Sequence, residues 1–411
     1  MTRALIQLSP RGVALYQFLT LIVLLLVLYA IGFCLSAFLE LPADPNAGVV
    51  DPALVSRITL RLFKLTVLSG LVGAGVMMAG ERLSVQRCRW LLRLWTALVV
   101  ISVALSPFNL DGALNLAAAL ILLLVLAATI GGAAINLRVW QIGLALIAVS
   151  SVAAQLVDTQ TAEALRAFQI QAACPFAALS AMFWLMRRYS RVEAEWAEDG
   201  LKIVSVLIFL AGGLISLGRI GLPPVISLAA TALLPLCYII LAGHSYRALA
   251  SRNDNASLAP HWIALATLFW LVGGAFLGAL SIQPAISEAM RGTDLAAAQE
   301  WLAGWALLAV ALAFVNEAAS ALRGDNRRVT GYMPLWLIAF GAGLATIVQA
   351  CRGVAEIYLR DVALVAPSAM AELLLPLTMV WIICLLATAA GSLMYALGFW
   401  LRRPRIRVVN G

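Results

Sequence analysis

The stretch LTLIVLLLVLYAIGFCLSAFL, from Leu19 to Leu39, decides what kind of protein this chain forms. It holds 21 residues without a single charge, and a helix of about 20 apolar residues crosses the hydrocarbon core of a bilayer. It is also longer than the apolar region of a cleavable signal peptide and lacks a clear small-residue cleavage site. We therefore predict that the first membrane span lies here.

The rest of the chain has the same character. Of its 411 residues, 63% are hydrophobic and 12% are charged, whereas soluble domains are about 45–50% apolar and about 25% charged. This composition excludes a soluble domain, a disordered chain and a coiled coil. We expect an all-α, polytopic membrane protein in which residues 1–411 form a single integral membrane domain.

Apolar runs separated by charged residues, proline or glycine predict about 12 transmembrane helices. The predicted spans are 16–39, 62–80, 90–106, 112–134, 138–157, 166–187, 201–220, 224–243, 262–282, 299–317, 333–351 and 368–401. These spans leave no room for a soluble domain, and no convincing internal repeat relates them.

The basic residues predict the orientation of these spans. With both termini placed in the cytoplasm, the cytoplasmic segments hold 20 of the 28 basic residues, as the positive-inside rule requires. The net charge of +8 then reflects the orientation of the spans. The sequence contains no basic–aromatic pattern of the kind that indicates nucleic-acid binding. Abundant Ala, Leu and Arg with little Lys are typical of a GC-rich bacterial genome. We expect a multi-pass protein of the bacterial cytoplasmic (inner) membrane, with cytoplasmic N- and C-termini.

Several ionisable residues fall inside the predicted spans. Such a side chain at the bilayer centre costs at least about 2.5–3.5 kcal/mol, so each needs a physical reason. The candidates are Arg61, Lys64, Arg219, Glu300, Glu317 and Glu372. All lie within about two turns of a predicted span end, where long side chains reach the interface, and Lys64 is the deepest. Interfacial anchoring is the simpler interpretation, and a proton pump or ion-coupled transporter has weak support.

Residues suited to metal chemistry are scarce. The chain has only 2 His, His244 and His261, at predicted cytoplasmic span ends. Its 6 Cys show no CxxC, heme-attachment or zinc spacing, and a lone Cys in an apolar run behaves as a small hydrophobe. Because membrane redox enzymes hold heme and copper mainly through His, we expect neither cofactor.

Short motifs occur in a consistent order along the spans. Span 5 opens with VWQIG (139–143), span 6 contains QIQAAC (169–174) and ends with MFWLMRRY (182–189), and span 11 contains WLIAFG (336–341). The lead into span 10 has Thr-Asp and then Gly-Trp, between residues 293 and 305. Together they resemble subunit I of the heme–copper oxidases, specifically its cbb-type branch, which is similar to the nitric oxide reductases. The resemblance implies a heme–copper oxidase subunit I-like bundle.

The resemblance also places the family's metal ligands on this chain, and each position lacks His. The heme-ligand position of span 2 falls near Arg61, and the copper-ligand position of span 6 falls on Cys174. The His-x-His pair of span 10 falls near Ala297 and Gln299, and the paired-His region of span 7 falls within residues 215–219. The resemblance thus implies the fold. The missing His ligands, in contrast, exclude the metal centre that oxygen or nitric oxide reduction needs in that family.

Three functions follow as hypotheses. The first is a heme-free, catalytically inactive relative of subunit I that acts as a structural, assembly or regulatory subunit of a respiratory-type membrane complex. Its partners would be membrane lipids and a membrane protein such as a cytochrome. The second is a transporter or small-molecule binding protein that uses the vacated cavity, unless large residues such as Trp301 and Trp305 fill it. The third is a redox subunit with unusual heme ligation.

Overall fold

The computed structural model describes residues 10–39, 51–79, 83–105, 111–129, 134–191, 193–218, 223–252, 257–277, 284–290, 292–323 and 329–401. Helices make up almost all of these segments, and the only strand-like pairing within them is an isolated bridge between Ser190 and Arg252. The terminal residues 1–9 and 402–411 lie outside the described ranges, so the orientation of the termini stays a prediction.

The helices follow one another with short connections. They are α1 (Pro10–Leu39), α2 (Pro52–Met78), α3 (Val85–Ala104), α4 (Asp111–Thr129), α5 (Ile135–Ala153), α6 (Thr159–Phe168), α7 (Cys174–Tyr189), α8 (Ala194–Gly218), α9 (Pro224–Ala250), α10 (Ala259–Trp270), α11 (Pro284–Met290), α12 (Asp294–Arg323), α13 (Tyr332–Ile357) and α14 (Pro367–Leu401). Three π-helical segments, Gln169–Ala173, Leu271–Leu277 and Tyr358–Val362, continue α6, α10 and α13.

Ten helical stretches of the described chain are long and apolar enough to cross a membrane. They coincide with ten of the predicted spans, which confirms an all-helical polytopic membrane protein. The remaining two predicted spans correspond to α3 and α4. α3 is 20 residues long and carries Arg87, Arg89 and Arg93 in its first half, which lowers its apolar character.

The second predicted span begins too late in the chain. Residues 62–80 were expected, but the apolar helix runs from Leu54 to Met78. Arg57, Arg61 and Lys64 therefore all lie within a membrane-spanning helix. Lys64 is 12 residues beyond the first residue of α2, about 18 Å along the axis, and not near a helix end.

α12 is the central helix of the bundle. Its apolar window within Asp294–Leu322 is 89% buried, and α1, α2, α7, α10 and α13 pack around it. Small residues allow a close approach, as expected for helices in a membrane. A Cβ at Gly70 of α2 would overlap Ala311 of α12, leaving no room for a larger side chain.

Buried indole and amide groups join helices that are distant in sequence. Trp140 Nε1 of α5 donates to the Leu71 carbonyl of α2 at 2.9 Å, and its ring occupies the space that a Cβ at Gly75 would need. Asn316 Nδ2 of α12 donates to the Tyr395 hydroxyl of α14 at 2.8 Å. Because a buried donor without a partner is costly, these bonds fix which faces meet.

The first and last described helices pack against each other. The rings of Tyr16 and Phe399 stack with centroids 5.5 Å apart. Deeper along the same contact, the Cys34 thiol donates to the Leu385 carbonyl at 3.4 Å. The first and last described helices are therefore neighbours in the bundle, and α1 contacts both α2 and α14.

Candidate functional site

An aromatic cluster occupies the interior where α1, α2, α12 and α14 meet. It consists of Tyr29, Phe33, Phe63, Trp301, Trp305 and Trp381. The Phe33 and Trp301 centroids are 4.5 Å apart, Tyr29 lies 5.2 Å from Phe63, and Trp305 lies 5.8 Å from Tyr29. These separations lie in the favourable range for aromatic pairs, so the rings fill this space by direct contact.

A charged network lies beside this cluster, at the end of α13. Arg352 pairs with Asp294 at the start of α12, and their side chains are only 18% and 20% exposed. Arg352 also donates to the Thr378 hydroxyl of α14 at 3.4 Å, and its guanidinium lies 5.5 Å from the Trp381 ring. The Asp294 N–H donates to Glu356 at 3.3 Å. The network therefore holds three helices together.

Sequence reasoning missed this network because the predicted spans were too short. The tenth was expected to begin at 299 and the eleventh to end at 351, which left Asp294 and Arg352 in loops. In the structure α12 begins at Asp294 and α13 continues past Arg352. The signal available in the sequence was Arg352, directly after one predicted span, and Asp294, five residues before another.

Arg61, near the position of the lost heme ligand in span 2, connects two helices. It is half-buried, and its Nη1 donates a long hydrogen bond of 3.5 Å to the Ser102 carbonyl. Ser102 lies in the last turn of α3, where carbonyls lack partners within the helix. A cation at the C-terminal end of α3 also interacts favourably with the negative pole of its helix dipole.

Three cations share one face of α2. Arg57, Arg61 and Lys64 follow the spacing i, i+4 and i+7, which places side chains on a single helix face. Arg57 is close enough to act electrostatically on Arg61. Arg166 of α6 and the thiol of Cys174 act on Lys64 in the same way. The fold thus brings two of the predicted site residues, Lys64 and Cys174, within electrostatic range of each other.

Cys174 lies where a π-helical segment meets α7. Its N–H donates to the Gln169 carbonyl, five residues back, and the next residue is Pro175, which cannot donate a helical hydrogen bond of its own. The thiol is half-buried against the apolar core. Gly212 lets α8 approach this segment, since a Cβ there would lie 2.6 Å from the Gln171 carbonyl oxygen.

The other predicted residues are dispersed. Gln299 is half-buried in the second turn of α12 and Glu300 beside it is exposed. Glu317 pairs with Arg188 of α7 at 3.1 Å, and Glu372 is exposed on α14. Arg219 lies outside the described residues. Of the lost-ligand positions, Arg61 and Cys174 both act electrostatically on Lys64. The backbone carbonyl of Gln299, in contrast, lies beside Gly273 in a π-helical segment.

The two imidazoles are engaged in packing. The His244 ring lies 4.2 Å from Trp196 and fills the space that a Cβ at Gly200 would take. His261 lies 5.2 Å from the Tyr332 ring and its Nε2 is 3.3 Å from Arg252 Nη1. Within the described ranges, no three His, Cys, Asp or Glu side chains lie close enough together to hold a metal ion.

An apolar groove separates α6 from α8. Its volume is about 350 Å³, and its walls include Leu165, Phe168, Phe209, Leu210 and Gly213. None of the predicted site residues is among the described residues that line it. The groove is therefore distinct from the aromatic cluster, the charged network and the cations of α2.

The chain was also compared with known proteins. No protein-family model matches it, and no curated protein is detectably similar to it in sequence. The resemblance to the heme–copper oxidases thus rests on the short motifs alone.

Proposed function

We propose that this protein is a heme-free, catalytically inactive relative of heme–copper oxidase subunit I. It would span the bacterial inner membrane with twelve helices, keep both termini in the cytoplasm, and act as a structural, assembly or regulatory subunit of a respiratory-type complex. Its partners would be membrane lipids and a membrane protein such as a cytochrome.

The aromatic cluster is the observation that carries this proposal. Trp301 and Trp305 of α12 reach Phe33 and Tyr29 of α1 across the interior. A planar cofactor or a transported solute needs an open cavity of about 300–1,000 Å³, whereas here indole and phenyl rings are in contact. Such packing favours a rigid helical frame over a vacated binding cavity.

The residues near the lost-ligand positions give further support. Arg61 donates to a backbone carbonyl and offers no lone pair to iron, since a guanidinium only donates. Cys174 packs against the apolar core, and Gln299 presents an amide. A guanidinium and an amide do not serve as axial heme ligands, and the single thiol of Cys174 has no partner ligands for a copper centre. These side chains therefore do not match the ligand set of that family.

Outward-facing helices leave room for partners. α14 has the least buried apolar window of the ten candidate spans, at 28%, and α9 follows at 35%. Both expose large aliphatic side chains, such as Ile239 and Ile383. These faces suit acyl chains or the helices of another membrane subunit.

The heme-free part of the proposal is tested by spectroscopy. We expect the purified protein to show no Soret band, and pyridine hemochrome analysis to give well under one heme per chain. A Soret band with stoichiometric heme would overturn it. The variants His244→Asn and His261→Asn then test whether an imidazole of this chain holds that heme, because they remove both of its imidazoles.

The subunit role is tested by deleting the gene in its host. We expect less assembled oxidase in native gels and membrane spectra, with restoration by the wild-type gene and equally by a gene carrying both His→Asn changes. Unchanged assembly in the deletion strain would refute a structural or assembly role. Failure of the double His variant alone, with normal protein levels, would instead indicate that the imidazoles are needed for assembly.

A further inference from the structure

The first half of α3 carries a basic and aromatic face that points away from the bundle. Arg87, Trp90 and Arg93 follow the spacing i, i+3 and i+6, so they lie within about 120° of the helix circumference and about 9 Å of its length. All three are exposed, and Trp90 is 56% exposed. Leu91 and Trp95 of the same helix are buried, so the opposite side of α3 faces the core.

A hydrogen bond fixes the depth of this face in the membrane. Trp95 Nε1 donates to Ser69 Oγ of α2 at 2.9 Å, and Ser69 lies nine residues before Met78, where α2 ends. A short connection joins the two helices, so α3 begins beside that end. At about 1.5 Å per residue, Trp90 then lies about 6 Å inward from the end of α2, and Arg93 about 10 Å. An indole is favoured at the interface, whereas an exposed guanidinium at that depth is costly unless it reaches a polar group such as a phosphate.

This part of the chain has an excess of positive charge. Residues 81–93 contain four Arg and one acidic residue, Glu81, which leaves a formal excess of three positive charges. α1, α2 and α4 pack against α3, and their sequences contain one acidic residue, Asp111, at the first position of α4. Because α4 follows the end of α3 in the chain, Asp111 belongs to the opposite end of α3. The excess therefore remains even if Glu81 pairs with an Arg.

A surface recess lies at the start of the same face. Its volume is about 480 Å³, and the described residues on its walls are Ser84, Gln86, Arg87 and Trp90. This volume is in the range of about 300–1,000 Å³ that small-molecule sites occupy. Ser84 and Gln86 are exposed, and a hydroxyl and an amide both hydrogen-bond to phosphate or glycerol oxygens. The recess therefore has the size and the polar groups that a lipid headgroup needs.

We propose that Arg87, Trp90 and Arg93, the α3 surface, bind an anionic phospholipid of the surrounding membrane. Guanidinium groups make charge-assisted hydrogen bonds to phosphate oxygens, and the excess positive charge favours a headgroup of net negative charge over a zwitterionic one. The Trp90 ring lies at the level of the ester groups. Val100 and Ile101, 55% and 51% exposed further along α3, contact the acyl chains.

The proposal is tested by titrating the full-length protein in neutral detergent with phosphatidylglycerol and, separately, with phosphatidylcholine of the same acyl chains. Native mass spectrometry counts the bound lipids, and thermal unfolding reports the stabilisation that binding produces. We expect phosphatidylglycerol to bind more tightly, and its advantage to shrink as the ionic strength rises from about 0.05 M to about 0.5 M. This lipid contact goes beyond the proposed function and does not depend on heme content or on membership of a complex, so its failure would leave that proposal standing.

Variants connect the lipid preference to these side chains. We expect Arg87→Gln and Arg93→Gln each to weaken phosphatidylglycerol binding about fivefold, because one basic residue near an anionic lipid surface contributes about 1 kcal/mol. Phosphatidylcholine binding should not change, and Arg93→Lys should keep most of the affinity because it keeps the charge. Arg187→Gln is the matched control, since this exposed guanidinium already pairs with Glu198 at 3.0 Å.

Three outcomes would overturn the proposal. One is that phosphatidylglycerol binds no more tightly than phosphatidylcholine, and another is that Arg87→Gln and Arg93→Gln both bind it as Arg187→Gln does. The third is that neither lipid binds while both α3 variants lose a co-purifying membrane protein, which would assign the α3 surface to a protein partner. Should one α3 variant fail to fold, the other variant and the ionic-strength dependence of the wild type decide.

Discussion

The pair between Arg352 and Asp294 makes a quantitative prediction about what holds α12 against α13. Removing one partner of a buried ion pair costs about 3–5 kcal/mol, whereas breaking an exposed pair costs about 0–1 kcal/mol. The two side chains are 18% and 20% exposed, closer to the buried limit. We therefore expect Arg352→Gln to lower the free energy of unfolding by about 2–4 kcal/mol.

The same helix end supplies a matched control. Arg360 pairs with Asp361, but these side chains are 40% and 46% exposed. Arg360→Gln makes the same chemical change and should cost less than about 1 kcal/mol. Equilibrium unfolding in mixed micelles, titrated with dodecyl sulfate and followed by tryptophan fluorescence, measures both variants.

A double-mutant cycle isolates the pair from its surroundings. Arg352→Gln and Asp294→Asn should each destabilise the protein, while the double variant recovers at least about 1 kcal/mol of the summed loss, because the groups are in contact. If the losses simply add, or if Arg352→Gln costs no more than Arg360→Gln, the charged network does not hold these helices together.

Further predictions concern close packing. Gly353→Ala places a Cβ against the backbone of Leu295 and should cost about 1–3 kcal/mol by the same unfolding assay. Gly243→Ala, with open space around it, should instead gain up to about 1 kcal/mol; equal effects would contradict the packing argument. Trp140→Phe loses the hydrogen bond to the Leu71 carbonyl and should cost about 0.5–1.5 kcal/mol, and a thermal midpoint unchanged by this substitution would argue against that bond.

The membrane class was predictable because it depends on local composition. Each apolar run carries its own signal, as Leu19–Leu39 shows, and the need to satisfy backbone hydrogen bonds in lipid leaves a helix as the simplest outcome. That Trp301 and Trp305 fill a vacated cavity stays a prediction. In the structure Trp305 is buried and Trp301 is half-buried, and both belong to the aromatic cluster.

The ends of the helices were less predictable, for a physical reason. The predicted spans left Arg57 and Arg352 outside, but both residues lie inside continuous helices. Arg352 is stabilised there by Asp294, 58 residues away in sequence. No local pattern shows such a partner, so both residues were assigned to loops.

The clustering of Lys64, Arg166 and Cys174 was hidden for a related reason. They come from α2, α6 and the start of α7, and their electrostatic coupling depends on how these helices are placed in the bundle. Pro175 gave the one local sign that the helix there departs from regular geometry. Its consequence for neighbouring side chains needed the three-dimensional arrangement.

The contact between α1 and α14 has a consequence for biosynthesis. Among the described helices, α1 is made before the others, and its contact with α14 forms only after α14 has been made. Until then, Tyr16 and Cys34 face lipid or a chaperone in place of Phe399 and Leu385. A chain that stops before residue 367 lacks α14, so this face of α1 stays uncovered. We expect membrane proteases to recognise such incomplete chains by that uncovered face.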